Sequence, residues 1–194
     1  MKILFETERL IVRQWELSDA PALYEYASDP EVMDFMPFPI YTSMEMADER
    51  MRDRQEIYAK HELGDDVDWA ICEKENPQKA IGSIGTSKWH FDRGVIEFGY
   101  LMNKKYQGKG YMTEAVIGLL KYLKANAGSV GMNLKAFEAK FDPANKASGR
   151  VMEKVGMRFA GTVHEPRGNN RSGNKPIENM QLYRISTDDL IKNT

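Results

Sequence analysis

The alternation of apolar and polar residues along the chain predicts about seven strands and about four helices. Runs rich in β-branched and aromatic residues predict strands at 9–15, 67–74, 80–90, 94–102, 132–141, 158–164 and 178–186. Apolar residues three and four positions apart predict helices after Ser18, from Thr42 or Ser43 to Lys60, after Gly110, and after Pro143. This order predicts a mixed α/β (α+β) fold with a single central sheet flanked by helices.

The segment 95–141 is predicted as strand, helix, strand. Such a unit normally forms a parallel pair with a right-handed crossover. Ligands in sheets of this kind bind beyond the carboxyl ends of the strands. Turns are predicted at Pro77 and at 92–94, and Asp29 with Pro30 is predicted to end the first helix.

The helical spacing also predicts core side chains. The second helix is expected to bury Met44, Ala47, Met51 and Tyr58. The helix after Gly110 has a broad apolar face between Ala115 and Leu123. The last helix repeats apolar residues every four positions, at Ala147, Val151 and Val155.

Composition narrows the function classes. The chain has 194 residues, which suits one domain over 1–194. A net charge of −2 gives no overall electrostatic sign of nucleic-acid binding and leaves only a local basic patch as an alternative. The single cysteine, Cys72, rules out an internal disulfide, indicates a reducing compartment and is expected to be buried. Apolar runs are shorter than the ~20 residues of a membrane span, so a cytoplasmic protein without membrane contact is expected. The three histidines have no metal-ligand spacing, so no metal is expected.

Two glycines, Gly108 and Gly110, directly precede the third predicted helix. The first amides of a helix lack intrahelical partners and, with the helix dipole, form a site for phosphate or another anion. Glycine would let the anion reach the backbone, and Lys109 adds a positive charge. The run matches neither a Walker loop nor a dinucleotide fingerprint. A tight turn without a ligand is the alternative.

Three motifs carry a resemblance to a known family. The run QGKGYM at 107–112 resembles the Q/R-x-x-G-x-G/A signature of the GNAT superfamily of N-acetyltransferases, which binds pyrophosphate. NKASGRVMEKVGM at 145–157 resembles the helix after that family's fifth strand, and IEFGYLM at 96–102 resembles its fourth strand. The N-terminal part is similar to the ribosomal-protein N-terminal acetyltransferases (RimJ/RimL-like). The resemblance extends from Glu6 to about Ser186.

The resemblance implies a GNAT-type domain that binds acetyl-CoA between splayed parallel strands four and five. It implies that backbone groups of Tyr100, Leu101 and Met102 bind the pantetheine arm. It also implies a set of residues that hold the pyrophosphate: Gln107, Gly108, Lys109, Gly110, Tyr111 and Met112. Asn145 would bind pantetheine, cap its helix, or do both. Met112 departs from the family's Gly or Ala. Its side chain either points at the phosphates and lowers cofactor affinity or, as we expect, packs into the core.

Transfer of an acetyl group to an amine requires a neutral amine, donors for an oxyanion and a proton for the leaving thiolate. Glu97 lies among apolar residues and is the candidate base, acting through water. A backbone N–H near Leu101 is the candidate oxyanion donor. Many relatives have a tyrosine acid where this chain has Met152, so Ser148 is the alternative proton donor, or only an ordinary helix hydroxyl.

An α-amine of pKa ~8 is about one-tenth neutral at pH 7, whereas a lysine amine is neutral at below about a thousandth. The preferred hypothesis is therefore an N-acetyltransferase acting on a protein N-terminus, for example that of a ribosomal protein, as a monomer or homodimer. A polyamine or drug acetyltransferase and a non-catalytic acyl-CoA-binding module remain alternatives. The acidic residues at 62–68 would attract cationic amines, and Arg167, Arg171 and Lys175 would bind a carboxylate or RNA backbone; otherwise both segments are solvated loops.

Overall fold

The computed structural model describes residues 1–164, 167–169, 176, 177 and 179–192. The strands of its main sheet are β1 Ile3–Glu6, β2 Leu10–Arg13, β3 Asp68–Glu73, β4 Asn76–His90, β5 Val95–Met102, β6 Ala136–Phe141, β7 Arg158–Val163 and β10 Met180–Ser186. β8 Arg167–Asn169 and β9 Pro176–Ile177 pair separately. The helices are α1 Ala20–Ala27, α2 Pro30–Met33, α3 Met44–Lys60, α4 Tyr111–Asn126, α5 Lys146–Lys154 and α6 Thr187–Lys192.

The main sheet has the order β1-β2-β3-β4-β5-β6-β10-β7. Every neighbouring pair is antiparallel except β5 with β6, which α4 connects. The predicted mixed sheet with a central parallel pair is confirmed. The pair is the fifth and sixth strands rather than the fourth and fifth, because the short β1 precedes the first predicted strand.

The parallel pair separates soon after it begins. The paired positions are Val95 with Ala136, Ile96 with Phe137, and Glu97 with Glu138. Beyond them β5 follows β4 to Met102, while β6 follows β10 to Phe141. The sheet therefore opens between the carboxyl halves of β5 and β6.

Helices cover both faces of the sheet. In β3, Trp69 and Ile71 belong to a core cluster that α4 fills with Val116, Leu119 and Leu120. The alternate residues, Ala70 and Cys72, belong to a second cluster with α1 and α3. Alternate strand residues point to opposite faces, so the helices form two layers around the sheet. As expected, Cys72 is buried, and burial raises the pKa of its thiol to about 12.

A buried ion pair fixes the start of α1 against β2. The Arg13 guanidinium donates to both carboxylate oxygens of Asp19 at 2.7 and 2.8 Å, and neither side chain is exposed. Asp19 also accepts from the Glu16 amide at 2.8 Å. Removing one partner of such a pair typically costs about 3–5 kcal/mol of stability. The pair thus sets where the α1 layer joins the sheet.

Several local predictions are corrected. Asp29 and Pro30 do end the first helix, but Pro30 also begins α2, because proline fits the first helical position. The predicted turn at Pro77 is wrong: the turn lies at 74–75, and Pro77 is near the start of β4. Met44 is 40% exposed because it starts α3 on the solvent side, whereas Ala47 and Met51 are buried.

The short elements β1, α2 and α6 were not predicted, because each has six residues or fewer and no clear periodicity. β8 and β9 lie in the stretch predicted as a loop. No helix in the described ranges is both long and apolar enough to cross a membrane.

Candidate active site

The turn from β5 into α4 requires both glycines. Gly108 has φ 78° and Gly110 has φ 81°, the left-handed conformation that glycine adopts without a steric penalty. A Cβ on Gly108 would meet no atom within 4 Å, so the space beside its backbone is open. Gly110 occupies the N-cap position of α4. We call residues 103–110 the glycine loop.

The start of α4 presents free amides. The Glu114 amide donates to the Gly110 carbonyl at 3.1 Å and is the first to close an α-helical turn. The three preceding amides, of residues 111–113, therefore have no intrahelical acceptor. With the positive end of the helix dipole, they form a site that suits a phosphate group.

Arg9, from the β1–β2 connection, holds the glycine loop. Its Nη1 donates to the Lys109 carbonyl at 3.1 Å, and its Nε donates to Glu114 Oε2 at 2.7 Å. Its guanidinium lies 4.6 Å above the centre of the Tyr111 ring. Thr7 Oγ1 donates to Glu114 Oε1 at 2.6 Å. In a trans peptide the C=O and the next N–H point in opposite directions. The hydrogen bond from Arg9 to the Lys109 carbonyl therefore turns the Gly110 amide away from Arg9.

The glycine loop, β5 and α5 enclose a cleft of about 410 Å³, here called the loop cleft. It is lined by every site residue predicted from the sequence except Glu97 and Lys109. Lys109 Nζ lies over the Tyr106 ring, 4.9 Å from its centre, beside the loop. Gln107 Nε2 donates to the Met102 carbonyl at 3.0 Å and so braces the turn. Met112 is 8% exposed and packs in the core cluster, as expected.

The backbone of β5 alternates between its two neighbours. The Asn103 amide donates to Ile81 of β4, whereas the Gly94 carbonyl accepts from Lys135 and Ala136 on the β6 side. Continued along the strand, this alternation directs the polar groups of Phe98, Tyr100 and Met102 toward the opening and those of Leu101 toward β4. The open edge therefore offers extended-chain hydrogen bonds to a ligand.

Tyr100 and α5 meet across the opening. The Tyr100 hydroxyl lies 2.9 Å from Ser148 Oγ and donates to the Ser148 carbonyl at 3.0 Å. Burial raises the pKa of Tyr100, and the contact with Ser148 offsets only part of the rise, so the hydroxyl stays protonated at neutral pH. Asn145 caps α5: its Oδ1 accepts from the Ser148 amide at 3.2 Å. Met152 is buried in the core.

Glu97 lies on the sheet between two basic side chains. Its Oε1 is 2.8 Å from His90 Nε2, and its Oε2 is 3.1 Å from Lys140 Nζ. Burial raises the pKa of the Glu97 carboxyl, but the hydrogen bonds and charges of His90 and Lys140 outweigh burial and leave the pKa below its usual value. The carboxylate is therefore ionised at neutral pH and oriented by both partners.

Two further cavities adjoin the loop cleft on the α1–α3 side. The central cavity, about 470 Å³, is lined by Glu97, Gly99, Tyr100 and Arg54 among others. The apolar cavity, about 290 Å³, lies among α1, α3 and the 34–43 connection. Met36 lines all three spaces, and Leu101 lines both the apolar cavity and the loop cleft.

Asp68 stands between the apolar and central cavities and lines both. It is in ionic contact with Arg54 and lies 4.0 Å from Arg50. Its Oδ2 accepts from Trp15 Nε1 at 3.2 Å. The acidic segment proposed from the sequence thus contributes two carboxylates to the site, since Asp66 also lines the central cavity. The basic residues Arg171 and Lys175 lie outside the described residues, as does the side chain of Arg167.

Sequence reasoning missed several basic residues near the site. Arg9 and Lys140 act through partners far away in the chain, and His90 acts through Glu97 on the neighbouring strand. No local pattern reveals these contacts. Arg150 and Lys154 line the loop cleft, and their spacing of four residues on α5 was a usable signal. Within the described part of the chain, no group of three His, Cys, Asp or Glu side chains could hold a metal ion.

Residues 9–158 match the protein family described as Acetyltransferase (GNAT) domain. The chain is 33% identical over 165 residues to the N-acetyltransferase YnaD of Bacillus subtilis, covering 84% of this chain and 88% of that protein. A GNAT-family acetyltransferase structure from Bacillus anthracis superposes with a TM-score of 0.75 at 28% identity, covering 97% of this chain and 99% of that one. RimL, a ribosomal L7/L12 alpha-N-protein acetyltransferase solved with coenzyme A, superposes with a TM-score of 0.76 at 18% identity, covering 96% of this chain and 99% of that one. The two chains therefore share a fold.

Replacing Arg9 by alanine is expected to weaken acetyl-CoA binding about tenfold, because the peptide between Lys109 and Gly110 loses its charged anchor. Calorimetric titration measures this, and Arg9→Lys should restore only part of the affinity, since lysine cannot contact Lys109 and Glu114 as a planar fork.

Arg52→Ala, at an exposed arginine on α3, is the matched control and should bind acetyl-CoA like the parent protein. A dissociation constant unchanged by Arg9→Ala would show that the loop holds its shape without Arg9.

Proposed function

The chain belongs to the acetyltransferase (GNAT) domain family and is an N-acetyltransferase that uses acetyl-CoA, and we propose that its acceptor is the α-amine of a protein or peptide N-terminus. The observation that carries this proposal is the junction of the loop cleft with two cavities on the α1–α3 side, because a donor and an acceptor can meet there. We further propose that residues 1–194 act as one domain, since the main sheet includes both β1 and β10.

The residues of the loop cleft fit acetyl-CoA. The amides at the start of α4 face an open space that suits a pyrophosphate, and Arg150 and Lys154 add positive charge along the same cleft. The unpaired edge of β5 suits the amide-containing pantetheine arm. We propose that Tyr100 and Met102 provide these backbone contacts, with Gln107 and Asn145 shaping the two ends. Acetyl-CoA supplies the activated acyl group when bound.

We propose that Glu97 handles the proton that leaves the amine. A new C–N bond forms as the C–S bond breaks, and the nitrogen loses its basicity as its lone pair is shared. The proton then passes to a water held by the Glu97 carboxylate, which has only acceptor oxygens. Because its pKa is lowered, Glu97 cannot deprotonate an alkyl ammonium efficiently, so the acceptor must arrive neutral. This requirement favours α-amines over lysine amines.

Ser148 and Tyr100 are proposed to provide the proton for the departing sulfur. Their hydroxyls are hydrogen-bonded to each other at the border of the loop cleft and the central cavity. Ser148 would donate its proton to the sulfur, and Tyr100 would turn its hydrogen from the Ser148 carbonyl to Ser148 Oγ. A proton from water, equal to the one that the amine gives up, would restore the pair. A thiol of pKa about 8.5 needs little acid assistance, so a weak donor is sufficient.

The acceptor class is tested by thiol release with three amines at pH 7: a peptide with a free N-terminus, an N-terminally acetylated peptide containing lysine, and spermidine. The free α-amine is expected to react fastest, since its neutral fraction exceeds that of lysine by about two orders of magnitude. Transfer to spermidine alone would favour a small-amine acetyltransferase. Acetyl-CoA binding without turnover on any amine would favour an acyl-CoA-binding module. A ribosomal-protein acceptor stays a prediction from the resemblance.

Glu97→Gln is expected to lower kcat about ten- to a hundredfold while acetyl-CoA binding changes less than about twofold. In the parent protein, activity should rise with pH around the acceptor pKa of ~8, because Glu97 is already ionised there. The Glu97→Gln variant should have lower activity at every pH, with the midpoint of the pH–activity profile unchanged. Glu56→Gln, at an exposed acid on α3, is the control. Equal rates for parent and Glu97→Gln at every pH would remove Glu97 from the mechanism.

The Glu97→Gln variant also tests the lowered pKa of Glu97, because that pKa makes the free energy of unfolding depend on pH. The folded-state pKa of Glu97 lies below its unfolded value, so its charge stabilises the fold above pH ~4.3. That contribution is lost as the pH falls through the lower, folded-state pKa. Denaturant unfolding should therefore show the Glu97→Gln penalty at pH 7 and its disappearance in acid.

Tyr100→Phe and Ser148→Ala are each expected to reduce kcat about tenfold, and the double variant should be little slower than either, because the two hydroxyls act as one hydrogen-bonded unit. Single-turnover thiol release measures this, with Tyr183→Phe as the matched control. Additive losses would show that the two hydroxyls act separately.

A further inference from the structure

The apolar cavity is the part of the site that the transfer chemistry does not use. Its walls are mostly apolar and include Trp15, Leu23, Met33, Tyr41, Met51 and Leu101. Protein interiors are normally close-packed, with few voids larger than a water molecule. A space of about 290 Å³ beside the reacting centre is thus available to a substrate.

The size of this cavity sets the size of the group that it can accept. An engineered apolar cavity of about 150 Å³ stays dry and binds benzene. The apolar cavity is almost twice as large, so a phenylalanine, leucine or methionine side chain fits, whereas a serine or alanine side chain would leave it largely empty.

The position of the cavity relates that group to the reacting amine. Leu101 separates it from the loop cleft and follows Tyr100, whose hydroxyl meets Ser148. An amine at this junction would have the substituent of its neighbouring carbon beside the apolar cavity. In a peptide, the α-carbon next to the α-amine carries the first side chain.

The charged residues that line the apolar cavity favour an acceptor with an α-amine and an apolar first side chain. Glu49, Asp53 and Asp68 line it, and Arg50 is the lone basic residue of that lining among the described residues. An excess of carboxylates attracts a cationic α-ammonium and disfavours an acidic first residue.

We propose that the apolar cavity binds the first side chain of the acceptor peptide and that the enzyme prefers N-termini with a large apolar first residue, such as Phe, Leu or Met. This inference rests on the proposed α-amine function and adds the class of acceptor. Transfer of a side chain of this size from water into an apolar site is expected to raise kcat/KM about ten- to a hundredfold over serine.

The test compares thiol release for pentapeptides that are identical except for the first residue, which is Phe, Leu or Ser. The parent protein is expected to prefer Phe and Leu over Ser by at least about tenfold in kcat/KM. Ala27→Leu inserts a larger side chain into the cavity wall and should bring the Phe-to-Ser ratio close to one. Ala22→Leu, on the same helix but away from the lining, is the control and should keep the parent ratio.

Thermal unfolding and acetyl-CoA titration show whether Ala27→Leu is folded. If it is not, Met46→Trp fills the cavity from a half-buried position of α3 and serves in its place. Equal rates for Phe and Ser peptides, or a preference that survives cavity filling, would overturn the inference and leave the α-amine function intact. If no peptide is acetylated, the proposed function and this inference are both overturned, whether or not a small aromatic amine is acetylated.

Discussion

The site depends on one constraint, the early separation of β5 and β6. The two strands pair at three positions and then follow different neighbours, so the sheet opens without losing its antiparallel pairing on either side. A ligand can complete the unpaired edge of β5, as an added strand would. The same separation leaves room for α5 to bring Ser148 to Tyr100. Without it, a continuous sheet would fill the space of the loop cleft.

Charged side chains fix the orientation of the glycine loop and of Glu97 in the protein without a ligand. Arg9 orients the glycine loop from outside, and His90 and Lys140 orient Glu97 from within the sheet. Fixed dipoles and charges need little reorganisation during a reaction, which is why such arrangements assist catalysis. In the proposed mechanism the lowered pKa of Glu97 has a consequence: a more weakly basic carboxylate would leave the deprotonation of the acceptor to the solvent.

The proposed donor and acceptor sites lie on opposite faces of the sheet. α4 and the glycine loop form one side, where we propose that the donor's phosphates bind, and α1 and α3 form the other, where the apolar and central cavities lie. Met36 lines all three spaces, so the connection after α2 contacts both the proposed donor site and the proposed acceptor site.

The sequence by itself determined what is local. The left-handed glycines, the cap at Asn145, the amphipathic α4 and the order of the elements follow from residues only a few positions apart, and the motifs built on them predicted most of the residues that line the loop cleft. The tertiary structure decided the contacts between different helices, strands and loops. Arg9 reaches a carbonyl one hundred positions away, Lys140 and His90 reach Glu97 from neighbouring strands, and the apolar cavity exists only where α1, α3 and β5 pack together. Periodicity indicates which face of an element is buried, but it carries no information about which other element covers that face. Contacts of this kind set the pKa of the Glu97 carboxylate and the shape of the apolar cavity.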